Sequence, residues 1–560
     1  MNSYLEIIEA RLLLIVFFVL FAFIHTNAQK RSSANIDASE QSLFIFSDRN
    51  LYVVGELIQL KIVYLQKENT KNAFVNYVYC DLLGQDGSYV QTLKSKIVEA
   101  SGQGQILIPK HLKSGNYLLK AYTRQLRNNP DNFAFLKIKI VNPLQSQIIN
   151  QSKQNYVVLQ PDSMLNCEGV LIDNQYFKSL SARKKVSLII QIDTNEIISS
   201  SLSMSIVPKN SFWNEQLKAS SNSGYSALKN TNYFQEKRGM ILSGTIINQS
   251  NREPMVRSQV LINVLGYKDI FVAVSDSLGH FKMSLPDLVG LQDVYVCTSA
   301  PEDNALILID KDYDLQTNYQ FGDAFSLSED EKKLALQLAQ NQSILLLFNP
   351  QNINRTKEAV QYPFYQHADE IIIIDDYIDL EKLSMYFTEL PGSVHLRKER
   401  DQIITRIDGE DGGILLQNPL IMIDYVAVVD IQTVLKINPQ LIKQIEIVRS
   451  YYQKGDASFG GIINFISNHG DFGSYEFPKS SITIQYQFLS VSYKAEQFNN
   501  EANIPDARNT VLWDAEMEIQ NSKLNLMFYT PETPGYYSMI IQGLDHAKNK
   551  VYKTFEFVVE

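Results

Sequence analysis

The amino-acid sequence predicts a mainly β protein, with tandem β-sandwich domains and one domain of mixed α and β structure. Tyrosine and phenylalanine occur 30 and 28 times in 560 residues, and both residue types favour strands. Short apolar runs such as "LIQLKIVYL" and "VSLIIQI" recur between turn residues, which is typical of sandwich strands. The length is sufficient for several domains, each with its own core.

The first 28 residues have the pattern of a secretory signal peptide. Residues 12–24 form an uninterrupted apolar run that is too short to cross a bilayer, and small Ala28 follows at the expected cleavage point. Two acidic residues outweigh one basic residue before this run, which is unusual and leaves retention as an anchor open. We expect a mature chain from about Gln29, without a spanning segment.

Charge and cysteine content exclude further classes of function. The formal net charge is −10 and basic residues do not cluster, which argues against nucleic-acid binding. The three cysteines, Cys80, Cys167 and Cys297, lack zinc-site spacing, and an odd number cannot pair completely within one chain. We therefore predict buried free thiols.

Residues 29–142 are predicted to form the first β-sandwich. The stretch "SDRNLYVVGELIQLKIVYL" alternates apolar and polar residues around a turn at Gly55, and "SGNYLLKAYTR" supplies the closing strand. These two motifs resemble the second macroglobulin-like domain of alpha-macroglobulins. We interpret Asp48, Arg49 and Glu56 as polar residues that stabilise a turn, without a catalytic role.

Two further units follow. Residues 143–235 are predicted as a second sandwich, with strands in "ARKKVSLIIQI" and "SSLSMSIVPKN", and a polar linker, "KASSNSGYSALKNTN". Residues 236–320 have the strand and turn order of a small Greek-key sandwich, including the turn "DSLGHF". The latter resembles the carboxypeptidase regulatory-like domain, which is non-catalytic, so the resemblance implies stability or docking.

Residues 321–475 are predicted to contain a helical lead-in and an α+β domain. Ser328 and Glu331 have capping-box spacing before the helix "LALQLAQ", and "DLEKLSMYFTELP" predicts a second helix. The segment "NPLIMIDYVAVVDIQTVLKINPQLIKQIEIV" and the glycine-bearing "YYQKGDASFGGIINFIS" resemble the plug domain of TonB-dependent receptors. In this stretch we expect Ile462, Ile463 and Phe465 in the core.

Residues 476–560 are predicted as a C-terminal sandwich, because "SITIQYQFLSVSY", "LNLMFYT" and "VYKTFEFVVE" return to strand patterns. The run "PDARNTVLW" resembles a terminal sandwich that accompanies macroglobulin-like modules. A transmembrane barrel needs many strands of about ten residues each, which this segment does not supply.

One enzymatic alternative is a zinc carboxypeptidase. His367 and Glu370 have the His-x-x-Glu spacing of that family, and His469 would be the third ligand. A match of this length is frequent by chance and His469 lies in the loop-like "SNHGDFGS", so we interpret these side chains as surface residues. No cysteine begins the Cys-Gly-Glu-Gln thioester of alpha-macroglobulins, so we expect no covalent trapping.

These features predict a non-enzymatic binding or scaffolding protein of the Gram-negative periplasm or outer membrane. The resemblance to a plug without a barrel implies an interaction domain for an envelope protein, an outer-membrane β-barrel being one candidate. We expect neither cofactor nor metal, and Lys454 and Asp456 of the "QKGD" turn are the candidate interaction residues. The alternative is an accessory component of a TonB-dependent transport system that docks to another chain's barrel.

Overall fold

A computed structural model describes residues 41–66, 77–151, 156–172, 178–219, 233–299, 304–348, 362–378, 380–390, 392–399, 402–492 and 505–560. The predicted signal peptide lies outside the described residues. Within them the protein is mainly β, as the sequence predicts, with few helices. No helix in this part of the chain is long and apolar enough to cross a membrane.

The first sandwich is formed by eight strands near the beginning of the described chain. Their apolar side chains, such as Ile45, Ile62 and Leu119, meet in one core between the two layers. The strands are β1 (Gln41–Ser47), β2 (Leu51–Val53), β3 (Leu57–Gln66), β4 (Tyr77–Gly84), β5 (Tyr89–Val98), β6 (Ser101–Leu107), β7 (Gly115–Tyr122) and β8 (Ala134–Val141). Strands β4, β7 and β8 are consecutive neighbours in one sheet, whereas β1, β3 and β6 form the other layer.

The segment that follows supplies strands to two different units. Two of its strands, β15 and β9, extend the first sandwich beyond β8, and a short later strand, β22 (Tyr319–Gln320), pairs with β9. The others belong to the second sandwich. The strands of this segment are β9 (Val157–Ser163), β10 (Leu165–Asn166), β11 (Val170–Ile172), β12 (Ser179–Leu180), β13 (Lys185–Ile192), β14 (Ser203–Pro208) and β15 (Glu215–Ala219).

The third sandwich packs a three-stranded sheet, β19-β16-β21, against a four-stranded sheet, β18-β17-β20-β32, in which β32 is Ile482–Gln487. Most of its strands come from the next stretch of the chain. They are β16 (Met240–Asn248), β17 (Gln259–Val264), β18 (Ile270–Val274), β19 (His280–Leu285), β20 (Leu291–Thr298) and β21 (Ala305–Ile309), followed by β22 (Tyr319–Gln320). The last strand, β32, follows much later in the chain, so residues between β21 and β32 are an insertion.

The inserted domain, residues 362–475, follows helix α1 (Glu329–Phe348) and contains a five-stranded mixed sheet in the order β23-β28-β31-β26-β27. Helices α2 (Met385–Thr388) and α3 (Ile431–Val434) lie on one face. Its strands are β23 (Glu370–Ile373), β24 (Val394–Glu399), β25 (Gln402–Ile407), β26 (Leu420–Ile423), β27 (Val426–Val428), β28 (Ile442–Val448), β29 (Tyr452–Lys454), β30 (Ala457–Phe459) and β31 (Ile462–Ser467).

The remaining strands are β32 (Ile482–Gln487), β33 (Leu512–Asp514), β34 (Lys523–Tyr529), β35 (Gly535–Leu544) and β36 (Lys550–Val559). Short 3-10 helices occur at Gln125–Asn128, Pro130–Asn132, Ser199–Ser201, Ile374–Asp376, Pro439–Leu441 and Phe472–Ser474. No separate C-terminal sandwich forms from these described strands, because each one completes a sheet begun earlier.

The second sandwich is therefore discontinuous in sequence, unlike the two separate sandwiches predicted for residues 143–235 and 476–560. β14 lies between β35 and β33, while β13 lies between β11 and β34. One core contains side chains from both segments, including Met204 and Ile206 together with Leu526 and Met539. The apolar faces of the two segments are each half of a sandwich, and they become buried only when they pack on each other.

A buried polar network joins the first sandwich, helix α1 and the start of the C-terminal segment. The guanidinium of Arg49 lies 2.6 Å from a carboxylate oxygen of Glu56 and 3.5 Å from Asp48. Asn509 donates to Glu56 over 2.6 Å, and Thr510 donates to Asp48. We call these five residues the junction network.

The three charged groups of the junction network are buried together. Arg49 is 2% exposed, as is Glu56, and Asp48 is 0% exposed. Burial alone would lower the pKa of Arg49, but the carboxylates of Glu56 and Asp48 more than reverse this effect and hold that pKa above its ordinary value. The predicted turn cluster is thus a contact between segments that are far apart in sequence.

A buried lysine marks a second contact between the first two sandwiches. The ammonium of Lys61 donates to the backbone carbonyls of Leu202 and Ala515, each over 2.7 Å. Burial lowers its pKa to about 8, because the charged form loses its hydration. Folding therefore favours the neutral amine of Lys61. The two joined sandwiches should gain stability as the pH rises from about 8, the pKa of Lys61 in the folded protein, towards 10.5, its pKa in the unfolded chain.

Candidate functional site

The inserted domain is attached to the third sandwich through one face and one edge of its sheet. Met422 and Ile462 pack against Leu261, Val272 and Cys297 of the third sandwich in a shared apolar core. Of the predicted plug core, Ile463 and Phe465 instead face the helices of the inserted domain. Both faces of the sheet are thus covered at its central strands, β26 and β31.

The β27 edge is held by a buried asparagine. The side-chain oxygen of Asn263 accepts from the backbone N–H of Ala427 over 3.2 Å, and its amide donates to the carbonyl of Tyr425 over 3.2 Å. Asn263 is fully buried, so these bonds form away from water. The Asn263 side chain thereby occupies backbone groups of β27 that an added strand would otherwise bond.

The predicted interaction residue Lys454 takes part in the same attachment. Its ammonium lies 2.6 Å from Asp269 of the third sandwich and within 6 Å of the Phe271 and Phe364 rings. The side chain is about one-quarter exposed, whereas Asp456 at the tip of the turn is exposed. Lys454 thus serves a contact within the chain, and only Asp456 of the predicted pair faces solvent.

The opposite edge, β23, is the outermost strand of the sheet. It pairs with β28 on one side, and no described strand pairs with its other side. Alternate side chains point to opposite faces: Ile372 is buried, whereas Ile371 and Ile373 are 51% and 41% exposed. Tyr377 and Ile378 continue this exposed apolar surface, which we call the β23 edge.

Acidic residues flank the β23 edge. Asp369, Asp375 and Asp376 are exposed, in the sequence "ADEIIIIDD". The carboxylate of Glu370 is engaged, because it accepts from the hydroxyl of Ser393 over 2.7 Å. An apolar strip bordered by negative charge suits a partner strand with basic flanks.

Neighbouring polar residues fix the position of β28 beside this edge. Tyr365 donates to the carboxylate of Glu446 on β28, and Asn464 donates to the Tyr365 hydroxyl over 2.9 Å. Burial raises the pKa of Tyr365, and the hydrogen bond to Glu446 adds to the rise, so the phenol stays protonated as a donor. Arg449 ties the same region to the carbonyls of Asp408 and Gly409.

The zinc alternative finds no assembled site among the described residues. His367 and His469 are exposed, and Glu370 bonds to Ser393 as above. No group of three or more histidine, cysteine, aspartate or glutamate side chains in the described ranges has the arrangement of a metal site, these three residues included. The three cysteines are buried and free, as the sequence predicts.

Sequence reasoning did not single out the β23 edge. Its signal is the run of four isoleucines at residues 371–374 between acidic residues. β-branched residues favour strands and acidic residues are depleted from them, so the acidic residues mark where the strand begins and ends. Which side of the strand would remain unpaired depends on the sheet order, which the run itself does not contain.

No protein-family profile and no curated protein sequence matches the chain. Among solved structures, a trypsin-activated alpha-2-macroglobulin from Escherichia coli is similar at 9% identity over 94% of this chain and 42% of that one, with a TM-score of 0.23. A Salmonella alpha-2-macroglobulin is similar at 7% identity over 95% and 40%, with a TM-score of 0.23.

Latent PorU from Porphyromonas gingivalis is similar at 9% identity over 48% of this chain and 33% of that one, with a TM-score of 0.15. The chain spans about two fifths of the length of the alpha-2-macroglobulins that it matches. Similarities at these identities and scores do not indicate a function for this chain.

Proposed function

We propose that this chain is a non-enzymatic binding or scaffolding protein of the Gram-negative cell envelope, and that its inserted domain binds an envelope protein. The observation that carries the proposal is the β23 edge. Exposed, untwisted strand edges pair readily with other chains, and proteins normally cover or charge them. Here the edge is apolar at Ile371 and Ile373, and its acidic residues stand at the two ends.

The way the inserted domain is held supports a docking role. Its β27 edge is occupied by Asn263, and the sheet face with Met422 and Ile462 is buried against the third sandwich. A firmly held domain with one open edge loses little conformational entropy when a partner strand adds to it. The resemblance of its sequence to a TonB-receptor plug makes an outer-membrane β-barrel one candidate partner.

The accessory-transport alternative uses the same surface, with the barrel of another chain as the partner. The scaffolding proposal and the accessory-transport alternative therefore differ in the identity of the partner protein, and both place its binding on the residues of the β23 edge. Nothing in the geometry of His367, Glu370 and His469 favours the zinc carboxypeptidase.

The test is site-specific cross-linking in intact cells. Tyr377, which is 43% exposed beside the edge, is replaced by p-benzoylphenylalanine, and the adducts are identified by mass spectrometry. The double variant Ile371→Lys and Ile373→Lys should abolish the adduct, because two charges on the edge oppose strand pairing.

The matched control is Ile414→Lys with Leu416→Lys. These two residues are also exposed aliphatics two positions apart in the inserted domain, 57% and 79% exposed, and neither belongs to the β23 edge. The control should retain the adduct. An adduct that survives the β23 substitutions would refute the proposal, and a barrel protein in the adduct would favour the accessory-transport alternative.

A further inference from the structure

A second open edge lies in a cleft between the first and third sandwiches, far along the chain from the β23 edge. The cleft has a volume of about 440 Å³, within the range of ligand sites, and is lined by β5 and β6 on one side and by β32 on the other. Its walls include Tyr89, Thr92 and Gln485. It is distinct from the surface proposed above.

The cleft exists because β5 and β6 separate. They pair only at Ile97 and Val98, after which β5 stays with β4 and β6 stays with β3. Side chains cap the edges that face each other: Gln91 donates to the carbonyl of Leu107 over 2.8 Å, and Ser95 donates to that of Gln103. The two layers of the sandwich thus present facing strand edges without closing on each other.

The edge of β5 already forms two hydrogen bonds with one residue of another segment, Ser490. The N–H of Ser490 donates to the carbonyl of Lys94 over 2.8 Å, and the N–H of Lys94 donates to the Ser490 hydroxyl over 2.9 Å. Backbone groups alternate between the two sides of a strand, so those of Thr92 point to the same side as those of Lys94. Thr92 lies in the cleft wall, beyond the β5–β6 pairing.

The cleft is polar but carries no free charge. Among the described residues that line it, Lys94 and Asp312 are the only charged ones, and they form an ion pair with each other. Lys94 is 3% exposed, and its ammonium lies 4.4 Å from the centre of the Tyr486 ring. The rest of the wall is amide, hydroxyl, aromatic and aliphatic. A charged ligand would lose hydration there without gaining an opposite charge.

We propose that this cleft binds an extended, uncharged polar peptide, which adds to the edge of β5 beside Ser490 and hydrogen-bonds to the backbone of Thr92. Strand addition draws its affinity from main-chain hydrogen bonds, and the flanking pockets select side chains. The stacked pair Tyr89 and Tyr313, with ring centroids 5.4 Å apart, lines the cleft and offers a flat apolar contact.

The probe is a fluorescein-labelled peptide, acetyl-Thr-Gln-Thr-Ser-Thr-Gln-Thr-amide, titrated with the full chain and followed by fluorescence anisotropy. Saturable binding is expected, together with slower hydrogen exchange of the Thr92 amide in the complex. The same peptide with N-methyl groups on alternate amides should bind at least about tenfold more weakly, because it cannot pair as a strand. A version with two aspartates should also bind more weakly.

The cleft is blocked by Gln485→Trp, since Gln485 is exposed on β32 and faces the cleft. Thr483→Trp is the matched control: it is exposed two residues earlier on the same strand, outside the cleft. The first change should weaken peptide binding at least about tenfold, and the second should leave it within about twofold. Thermal unfolding of both variants shows that they remain folded.

Several results would overturn the proposal. These are the absence of saturable peptide binding, equal affinity for the N-methylated peptide, and equal loss in both tryptophan variants. Maltohexaose serves as a glycan probe. If it binds and Gln485→Trp removes that binding while the peptide does not bind, the cleft is a carbohydrate site and the peptide proposal is wrong.

Discussion

Replacing Arg49 by methionine should lower the free energy of unfolding of the two joined sandwiches by about 3–5 kcal/mol. The guanidinium bonds to both oxygens of Glu56, at 2.6 and 3.2 Å, and to the carbonyl of Leu51 at 3.0 Å. Without it, two buried carboxylates, those of Asp48 and Glu56, keep no cationic partner in the junction network. The magnitude is that of a broken buried ion pair.

The chain offers a selective probe for this measurement. Its two tryptophans, Trp213 and Trp513, both lie in the two joined sandwiches, so tryptophan fluorescence during urea unfolding reports on the unfolding of these two units. Trp213 packs in the small apolar cluster with Leu51 and Leu338, next to the junction network.

Lys209→Met is the control for charge removal alone. Its partner Glu556 lies 2.7 Å away, but the two side chains are 40% and 50% exposed, so the loss should be at most about 1 kcal/mol. Arg49→Lys should fall between the two, because it keeps the charge and loses the planar two-point contact. If Arg49→Met costs no more than Lys209→Met, the junction network is not what holds these segments together.

Three further outcomes are expected. Between pH 7 and pH 10 the wild type should gain about 2–3 kcal/mol of unfolding free energy relative to Lys61→Met, because the folded pKa is about 8 and the unfolded one is 10.5. A pH-independent difference would contradict this. Thermal unfolding should show about 0.5–1.5 kcal/mol lost in Glu370→Ala and less in His367→Ala. Stoichiometric zinc that either change releases would revive the peptidase alternative. Asn263→Ala should speed hydrogen exchange of the Ala427 amide about tenfold, since the hydrogen bond from that N–H to the Asn263 side chain is lost. Unchanged exchange would show that the β27 edge is held by packing alone.

Local features of the fold were predictable from neighbouring residues. The capping box forms as expected: the N–H of Ser328 donates to Glu331 over 2.8 Å, and the N–H of Glu331 donates to the Ser328 hydroxyl over 3.2 Å. The helix expected from "DLEKLSMYFTELP" is only Met385–Thr388. Most of the expected helix is replaced by turns, and the apolar Leu383 and Phe387 still lie in the core.

The order of strands was not predictable from such patterns. The alternation of "LNLMFYT" predicts a half-buried strand and does not say that its neighbour is β13, more than 300 residues earlier. The same holds for "SITIQYQ", which completes the third sandwich beside β20. The motifs around Arg49 and around Asn509 resemble two separate modules, yet they meet in the junction network. The polar residues of these motifs were the only local indication of that contact.

The discontinuous second sandwich has a consequence for biosynthesis. β14 has both of its sheet neighbours, β33 and β35, about 300 residues further along the chain. At roughly 5–20 residues per second, the ribosome completes those neighbours about 15–60 s after β14 emerges. During this interval the apolar strand "SMSIVP" has two unpaired edges, whereas the inserted domain, residues 362–475, is already complete in sequence before β33 is made. A holdase chaperone that shields this strand would therefore raise the yield of native protein more than one that acts on the later domains.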